Sequence, residues 1–344
     1  MTIVRRTLVA AVDARPPLFA GIDLGGTNIK AALVDSAGAM LAFHTEPTDV
    51  ARGPEDAAAR MGRAVGRLAT QAGVAPGEIA RVGLGTPGPQ DLPAGMILRA
   101  GNLPGWENFP IRDRVAAHCD RAVTYANDAN AAAYGEFWVG SGRGHSSLVL
   151  LTLGTGVGGG IIIGDLNISG AHSHGSECGH IVVDASPAAR RCPLGHPGCL
   201  EAYASATAVK ARARDALAAG GRGMLAGVAA GGNLTPITIA DAARGGDTLA
   251  RDLILETARW LGIGVVTLMH TIDPAVVLIG GAMTFGGDAD PLGREFIDRV
   301  RSEVRSRTFP VLAEKTVIGY ASLGGDAGSI GAAGLARLDH LHGR

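Results

Sequence analysis

The stretch "LFAGIDLGGTNIKAALVD" at residues 18–35 constrains the fold more than any other part of this sequence. An apolar run is closed by two adjacent glycines and a threonine, and a second apolar run follows at once and ends at "DSAG". Short apolar runs bounded by turn residues read as buried strands, so the pair reads as a hairpin. A dinucleotide fold needs its glycine turn to open a helix, and a P-loop needs the spacing G-x-x-x-x-G-K-[ST]; neither pattern is met. The chain repeats the idea at 148–166, "LVLLTLGTGVGGGIIIGDL", with strand, Gly/Thr turn, strand and a further turn at Asp165 to match the one at Asp35. Identity between the two copies is low, but the shared order reads as a duplicated unit. A later strand, "AVVLIGGAM", again ends on two glycines, Gly280 and Gly281, and three such turns suggest one nucleotide cleft.

Between these turns the pattern alternates strand and helix, which is the signature of an α/β fold. From Pro54, apolar residues at Ala57, Ala58, Met61, Ala64, Val65 and Leu68 recur at helical spacing up to Gly73, with proline near the start and glycine at the end. "IARVGLGTPGP" reads as a strand running into a turn, "AVTYANDANAAAYGEFW" as strand, polar junction and helix, and "LILETARWLGIGVVTLMHTI" as a helix. At 344 residues the chain is long enough for about two domains with real cores.

Charge and composition exclude several function classes. Lys and Arg total 31 against 32 for Asp and Glu, leaving a net charge of -1, so no strong attraction to nucleic acid or an anionic membrane is expected. No uninterrupted apolar stretch approaches the roughly 20 residues of a membrane span, and "MTIVRRTLVAAVDARPP" is too short and too interrupted by charge for a signal peptide, which makes the cytoplasm the expected location. Of the four cysteines, 119, 178, 192 and 199, the last three lie beside histidines and read as metal ligands or reduced thiols. Cys119, in a helical segment, reads as a small apolar packing residue. His270 reads as a core or helix-end residue, and His172 and His174 as loop residues in water.

Glycine turns let backbone N–H groups approach phosphate oxygens, and Thr27 and Thr155 add hydroxyl donors. Lys30 offers a point charge, or is simply solvated on the hairpin. Asp23, just before the first turn, is placed to hold Mg²⁺ directly or through water. Asp128 begins the alanine-rich helix: it is either that helix's N-cap or a base whose charged form the helix N-terminus favours. "ECGH" at 177–180 and "GCLE" ending at Glu201 add acidic and imidazole groups of the kind that bind several hydroxyls at once, as a sugar requires.

"DLGGTNIK", "GTPGP", "GNLPGW", "NDANAAAYGE", "GTGVGGG", "ECGH", "CPLGHPGCLE" and "LIGGAM", in that order from about residue 18 to the end, resemble the ROK family of sugar kinases and regulators, nearest to its glucokinases. The resemblance implies the two-lobed, ribonuclease H-like fold of the actin, sugar kinase and Hsp70 group with a duplicated βα core. On that pattern a small lobe covers 18–126 and is joined by the C-terminal helix 327–344, a large lobe covers 127–326, and the lobes close on sugar and ATP. It implies that Asp128 is the catalytic base that takes the proton from a sugar 6-hydroxyl. Asn102, Asn127, Asp128, Glu177, His180 and Glu201 match sugar-binding positions. Asp23, Gly25, Gly26, Thr27 and Lys30 match a first phosphate and Mg²⁺ segment, Thr155 and Gly156 a second, and Gly280 and Gly281 an adenosine segment. The implied reaction is ATP-dependent phosphorylation of a hexose, glucose first, with fructose or an N-acetylhexosamine as alternatives. Homodimers or homotetramers are the implied assemblies.

The family's regulators carry a helix-turn-helix domain ahead of the first phosphate motif; only 22 residues precede Asp23 here, and the neutral charge agrees with an enzyme. A sugar sensor without catalysis is the third class, and the presence of Asp128 with both phosphate turns speaks against it. In metal chemistry the chain departs from the pattern. Relatives hold Zn²⁺ with the histidine of "ECGH" and three cysteines spaced C-x-C-x₄-C, and here the middle cysteine is Leu194. His180, Cys192 and Cys199 remain, with water, Cys178 or, better placed, His196 as fourth ligand. The alternative is that the metal is lost and the loop is held by Pro193, Pro197 and apolar packing of Leu194.

Overall fold

The computed structural model describes residues 6–344. In chain order its elements are β1 (Leu18–Leu24), β2 (Asn28–Val34), β3 (Met40–Pro47), α1 (Pro54–Ala72), β4 (Ile79–Thr86), β5 (Gln90–Asp91), β6 (Met96–Arg99), β7 (Glu107–Phe109), α2 (Ile111–Cys119), β8 (Val123–Asn127) and α3 (Asp128–Trp138). There follow β9 (Ser147–Leu153), β10 (Val157–Ile163), β11 (Leu166–Asn167), α4 (Glu201–Ala204), α5 (Ala206–Ala218), α6 (Met224–Ala230), α7 (Pro236–Arg244), α8 (Thr248–Ile272), β12 (Val276–Gly281), α9 (Pro291–Arg307), α10 (Pro310–Lys315), β13 (Val317–Tyr320) and α11 (Ala327–Leu341). The chain divides into two compact units. The first holds the residues up to Gly144, then Gly160–Ser176 and Leu323–Arg344; the second holds His145–Gly159 and Glu177–Ser322.

The first unit is built on a sheet ordered β3-β2-β1-β4-β8. β1, β2 and β3 are antiparallel neighbours, whereas β4 and β8 run parallel to β1. Alternate residues of a strand face opposite sides of a sheet, and β1 divides accordingly. Leu18, Ala20, Ile22 and Leu24 share a core with Ala57, Met61, Ala64 and Leu68 of α1. Phe19 packs on the other side with Ile330, Ala333 and Ala336 of α11. The apolar series expected of α1 is buried throughout, and Gly73 ends the helix in the left-handed conformation with φ 71°. Burying a side chain such as Met61 or Leu68 contributes roughly 1.5–3 kcal/mol.

α11 meets the sheet at backbone distance. A Cβ on Gly21 would lie 1.9 Å from the Ser329 carbonyl oxygen, and one on Gly83 would lie 1.8 Å from that of Ala332. α3 is packed as closely on α11, since a Cβ on Gly331 would lie 1.7 Å from the Ala131 oxygen. Glycine is required at these positions by close approach, and it lets α11 lie directly against β1, β4 and α3.

In the second unit β12 lies between β9 and β13, parallel to both. By length and composition α8 is the one helix among the described residues that could cross a membrane, yet 56% of its most apolar window is buried. Leu253, Ile254, Ala258, Leu261, Val265 and Met269 form its buried stripe, which is the behaviour of a core helix. His270 sits in its last turn with Nε2 2.9 Å from the Thr308 hydroxyl and its ring edge-on to Phe309, as expected of a satisfied helix-end residue. Cys119 ends α2 and packs against the core of the first unit. His172 and His174 are exposed.

Candidate active site

The first unit brings its candidate residues to the C-terminal ends of the parallel strands β1, β4 and β8, where open α/β sheets place their ligands. Asp23 stands opposite Lys30 across the hairpin and beside Gly85 on β4. Gly25, Gly26 and Thr27 form the turn, closed by the Gly25 amide donating to the Asn28 carbonyl at 2.9 Å. Burial raises the pKa of the Asp23 carboxyl, and the Lys30 charge opposes that rise. Lys30 is anchored: its ammonium donates to the Gly325 carbonyl at 2.7 Å. Asn102 lies against the turn, since a Cβ on Gly26 would fall 2.9 Å from the Asn102 backbone carbonyl oxygen and 3.2 Å from its Cβ.

At the end of β8 the N-cap of α3 is Asn127, not Asp128. The Asn127 side-chain oxygen accepts from the amides of Ala129 at 2.9 Å and Asn130 at 3.2 Å. Asp128 is the first residue of the helix, with its Oδ1 2.8 Å from the Ala129 amide. Its negative charge adds to burial in pushing the Tyr125 hydroxyl above its ordinary pKa. The N-cap position thus belongs to Asn127, with Asp128 in the first turn beside it.

In the second unit Thr155 and Gly156 form a tight turn in which the Gly154 amide donates to the Gly156 carbonyl at 3.0 Å. Glu201, at the start of α4, accepts from the Val157 amide at 3.0 Å through Oε2. A Cβ on Gly156 would lie 2.2 Å from that oxygen, and one on Gly179 would lie 2.0 Å from the Val157 carbonyl. The segment carrying Glu177 and His180, the turn, and Glu201 are thus packed into one group. Glu177 is exposed, with its carbonyl accepting from the His180 amide at 3.0 Å. Gly280 and Gly281 end β12 in register with Thr152 and Leu153 of β9, so they lie beside the strand that leads into the same turn.

His180, Cys192 and Cys199 offer ligand atoms that all lie within 4.8 Å of one another. That is the spacing a single tetrahedral ion can bridge, given bonds of about 2.0–2.3 Å. His180 Nδ1 is buried with no hydrogen-bond partner, a polar atom a metal or its shell would satisfy. These residues fit zinc. Burial pushes the Cys199 thiol up to about 11, with Cys192 adding to the rise. The His196 ring stands edge-on to that of His180 with centroids 5.6 Å apart, and the Cys192 amide donates to the His196 carbonyl at 3.0 Å. Leu194 is 67% exposed, which removes its apolar packing as an explanation of how the loop is held. Cys178, buried and with its thiol pushed up to about 12, lies outside the cluster.

Three supporting residues carry no spacing signal in the sequence. Buried Thr48 donates through its hydroxyl to the Gly25 carbonyl at 2.6 Å and through its amide to the Thr27 carbonyl at 2.8 Å, fixing the first turn from β3's end. Thr207 does the same for the second turn, donating to the Thr155 carbonyl at 2.9 Å. Gly328 of α11 backs the Asp23 carboxylate.

A family model described as the ROK family matches residues 19–338. The glucokinase of Thermotoga maritima is 35% identical over 322 residues, which are 92% of this chain and 96% of that protein. Among solved structures, the ROK hexokinase of Thermus thermophilus matches with a TM-score of 0.79 at 32% identity, covering 94% of this chain and 99% of its own. The ROK family glucokinase of Streptomyces griseus, in complex with glucose and AMPPNP, matches with a TM-score of 0.74 at 34% identity, covering 93% and 99%.

Proposed function

The chain belongs to the ROK family, and on that premise we propose that it is an ATP-dependent sugar kinase that converts glucose to glucose 6-phosphate. The observation that carries this reading onto the chain's own residues is the pairing at the start of α3. Asn127 caps the helix and Asp128 stands directly after it in the first turn, where the helix N-terminus favours the charged carboxylate that a base requires. The two similar enzymes named glucokinase support glucose as the sugar.

In this reading Asp128 accepts the proton of the sugar 6-hydroxyl as its oxygen attacks the γ-phosphorus and the β,γ-bridging oxygen leaves with ADP. Phosphoryl transfer has a loose transition state, so positioning and charge neutralisation outweigh base strength. The Gly25–Thr27 and Thr155–Gly156 turns supply backbone donors to phosphate oxygens, Lys30 supplies positive charge, and Gly280 and Gly281 leave room for the adenosine. Asp23 would hold Mg²⁺, which neutralises phosphate charge when bound. Asn102, Glu177, His180 and Glu201 bind sugar hydroxyls, joined by the side-chain NH₂ of Asn127, whose oxygen is committed to the cap.

Zinc belongs to the same proposal in a structural role. His180, Cys192 and Cys199 would hold it, with His196 or water as fourth ligand, and it would fix the loop that precedes Glu201 while orienting His180. The near-neutral charge is in keeping with a cytoplasmic enzyme of small-molecule substrates. Initial rates of ADP release over a panel of glucose, fructose, mannose, N-acetylglucosamine and N-acetylmannosamine, each with ATP, test the assignment. Glucose should give the highest kcat/KM. No turnover with any hexose would overturn the kinase reading, and a clear preference for another sugar would overturn the substrate.

A further inference from the structure

Glu136 closes the "NDANAAAYGE" stretch and has no part in the chemistry assigned above. It lies on α3 two turns beyond Asp128, and its accessible surface is 0%. Burying a carboxylate is costly unless its oxygens are well hydrogen-bonded. Two of the groups that meet it are backbone amides. Oε2 accepts from the Ser141 amide at 2.9 Å, and Oε1 accepts from the Leu323 amide at 2.6 Å. The Glu136 carbonyl also accepts from the amides of Gly140 at 3.1 Å and Gly142 at 2.9 Å. Gly140 permits the turn to close over the carboxylate, since a Cβ there would lie 2.1 Å from Oε2.

The places of those amides in the chain give the contact its meaning. The chain first leaves the first unit after Gly144, and Leu323 is the residue with which it finally returns. One buried side chain therefore grips the outgoing segment just before it departs and the incoming segment as it arrives. The same helix carries Asp128 at its other end. A carboxylate suits this task, because it offers two acceptor oxygens and no donor; an amide side chain would turn an NH₂ toward one of the two N–H groups.

We infer that Glu136 is a positioning residue: it locks α3, and with it the base Asp128, to both segments that lead to and from the unit carrying Glu177, His180 and Glu201. The base and the two segments are then held together within the first unit, so that the base keeps its place from one turnover to the next. This rests on the kinase reading for its effect on rate, but not for the anchoring itself.

Glu136→Gln separates the two parts. The Ser141 and Leu323 amides should lose hydrogen-exchange protection by more than about tenfold, because local opening no longer breaks two charge-assisted bonds. In the same protein kcat with glucose and ATP should fall by about tenfold or more, while KM for each substrate stays within about threefold, as for an interaction expressed only in the transition state. A folded variant whose two amides remain protected overturns the anchor, and one that loses protection but keeps wild-type kcat overturns the positioning role. If Glu136→Gln yields no folded protein, exchange in the wild-type enzyme decides. Ser141 and Leu323 should be protected and open with the same free energy; unprotected amides, or openings of unequal free energy, overturn the inference. Failure of the kinase reading would show separately, as a wild-type protein without turnover.

Discussion

Gly328, in the first turn of α11, abuts the Asp23 carboxylate so closely that a Cβ on Gly328 would lie 2.6 Å from Asp23 Cγ and 2.7 Å from Oδ2. The glycine thereby sets where the carboxylate stands. Gly328→Ala should push Asp23 away from its position and lower kcat by about 10²-fold, the scale of a misplacement near 1 Å. Overpacking should cost about 1–3 kcal/mol of stability. Steady-state kinetics with thermal unfolding checks both; a variant with wild-type kcat would show that the exact placement of Asp23 is immaterial.

Asp128→Asn should leave the fold and glucose binding intact, because Asn127 remains as the cap of α3. Turnover should drop by about 10² to 10⁴-fold, the usual cost of losing a positioned base. Calorimetric titration with glucose, paired with a coupled ADP assay, separates the two effects. Activity within a few-fold of wild type would remove Asp128 from the mechanism.

Asp23 is raised above its ordinary pKa by burial, against the pull of Lys30. The native protein therefore holds this proton more tightly than the unfolded chain does. Its contribution to stability is fully present below the unfolded value and is lost as pH rises through the folded one. Asp23→Asn should accordingly raise the unfolding temperature at pH 7, with the gain shrinking as pH falls toward about 4, even as ATP-dependent turnover collapses. Melting curves across that range are the check; destabilisation at pH 7 would contradict the sign.

Metal analysis of protein purified without chelator should find about one zinc per chain, held by His180, Cys192 and Cys199. Because the thiols must lose their protons on binding, occupancy should fall on acidification. Cys199→Ser should abolish binding, and His196→Ala should lower it if His196 supplies the fourth ligand. Zinc well below one equivalent in a fully active preparation would eliminate the site.

The parts of this fold that were legible in the sequence are those written in local periodicity. The hairpin of β1 and β2, and α1 with proline at its start and Gly73 at its end, follow from short-range spacing and turn chemistry. The candidate residues could be named because they sit in compact motifs. Their supports could not, because these are partners far apart in the chain: Lys30 finds the Gly325 carbonyl across 295 positions, and Glu136 finds the Leu323 amide across 187. At Asp128 the sequence left two roles open, cap or base, and since Asn and Asp are comparable caps only the hydrogen bonds of Asn127 show which residue caps the helix. Leu194 looked able to pack, but solvent surrounds it.

The first unit takes α11 from beyond the second unit in the chain, which bears on synthesis. β1 leaves the ribosome before the second unit, and α11, whose backbone lies against Gly21 and Gly83, leaves it after that unit. Domains usually fold as they emerge, N-terminal first. Here the whole of the second unit's sequence must be translated before the earliest sheet can be covered on its α11 face. The nascent chain thus carries Phe19, Ala32 and Val34 without their partners Ile330, Ala333 and Ala336 until the second unit has been made. A chain that stops at Ser322 lacks the helix needed to finish the unit that began it.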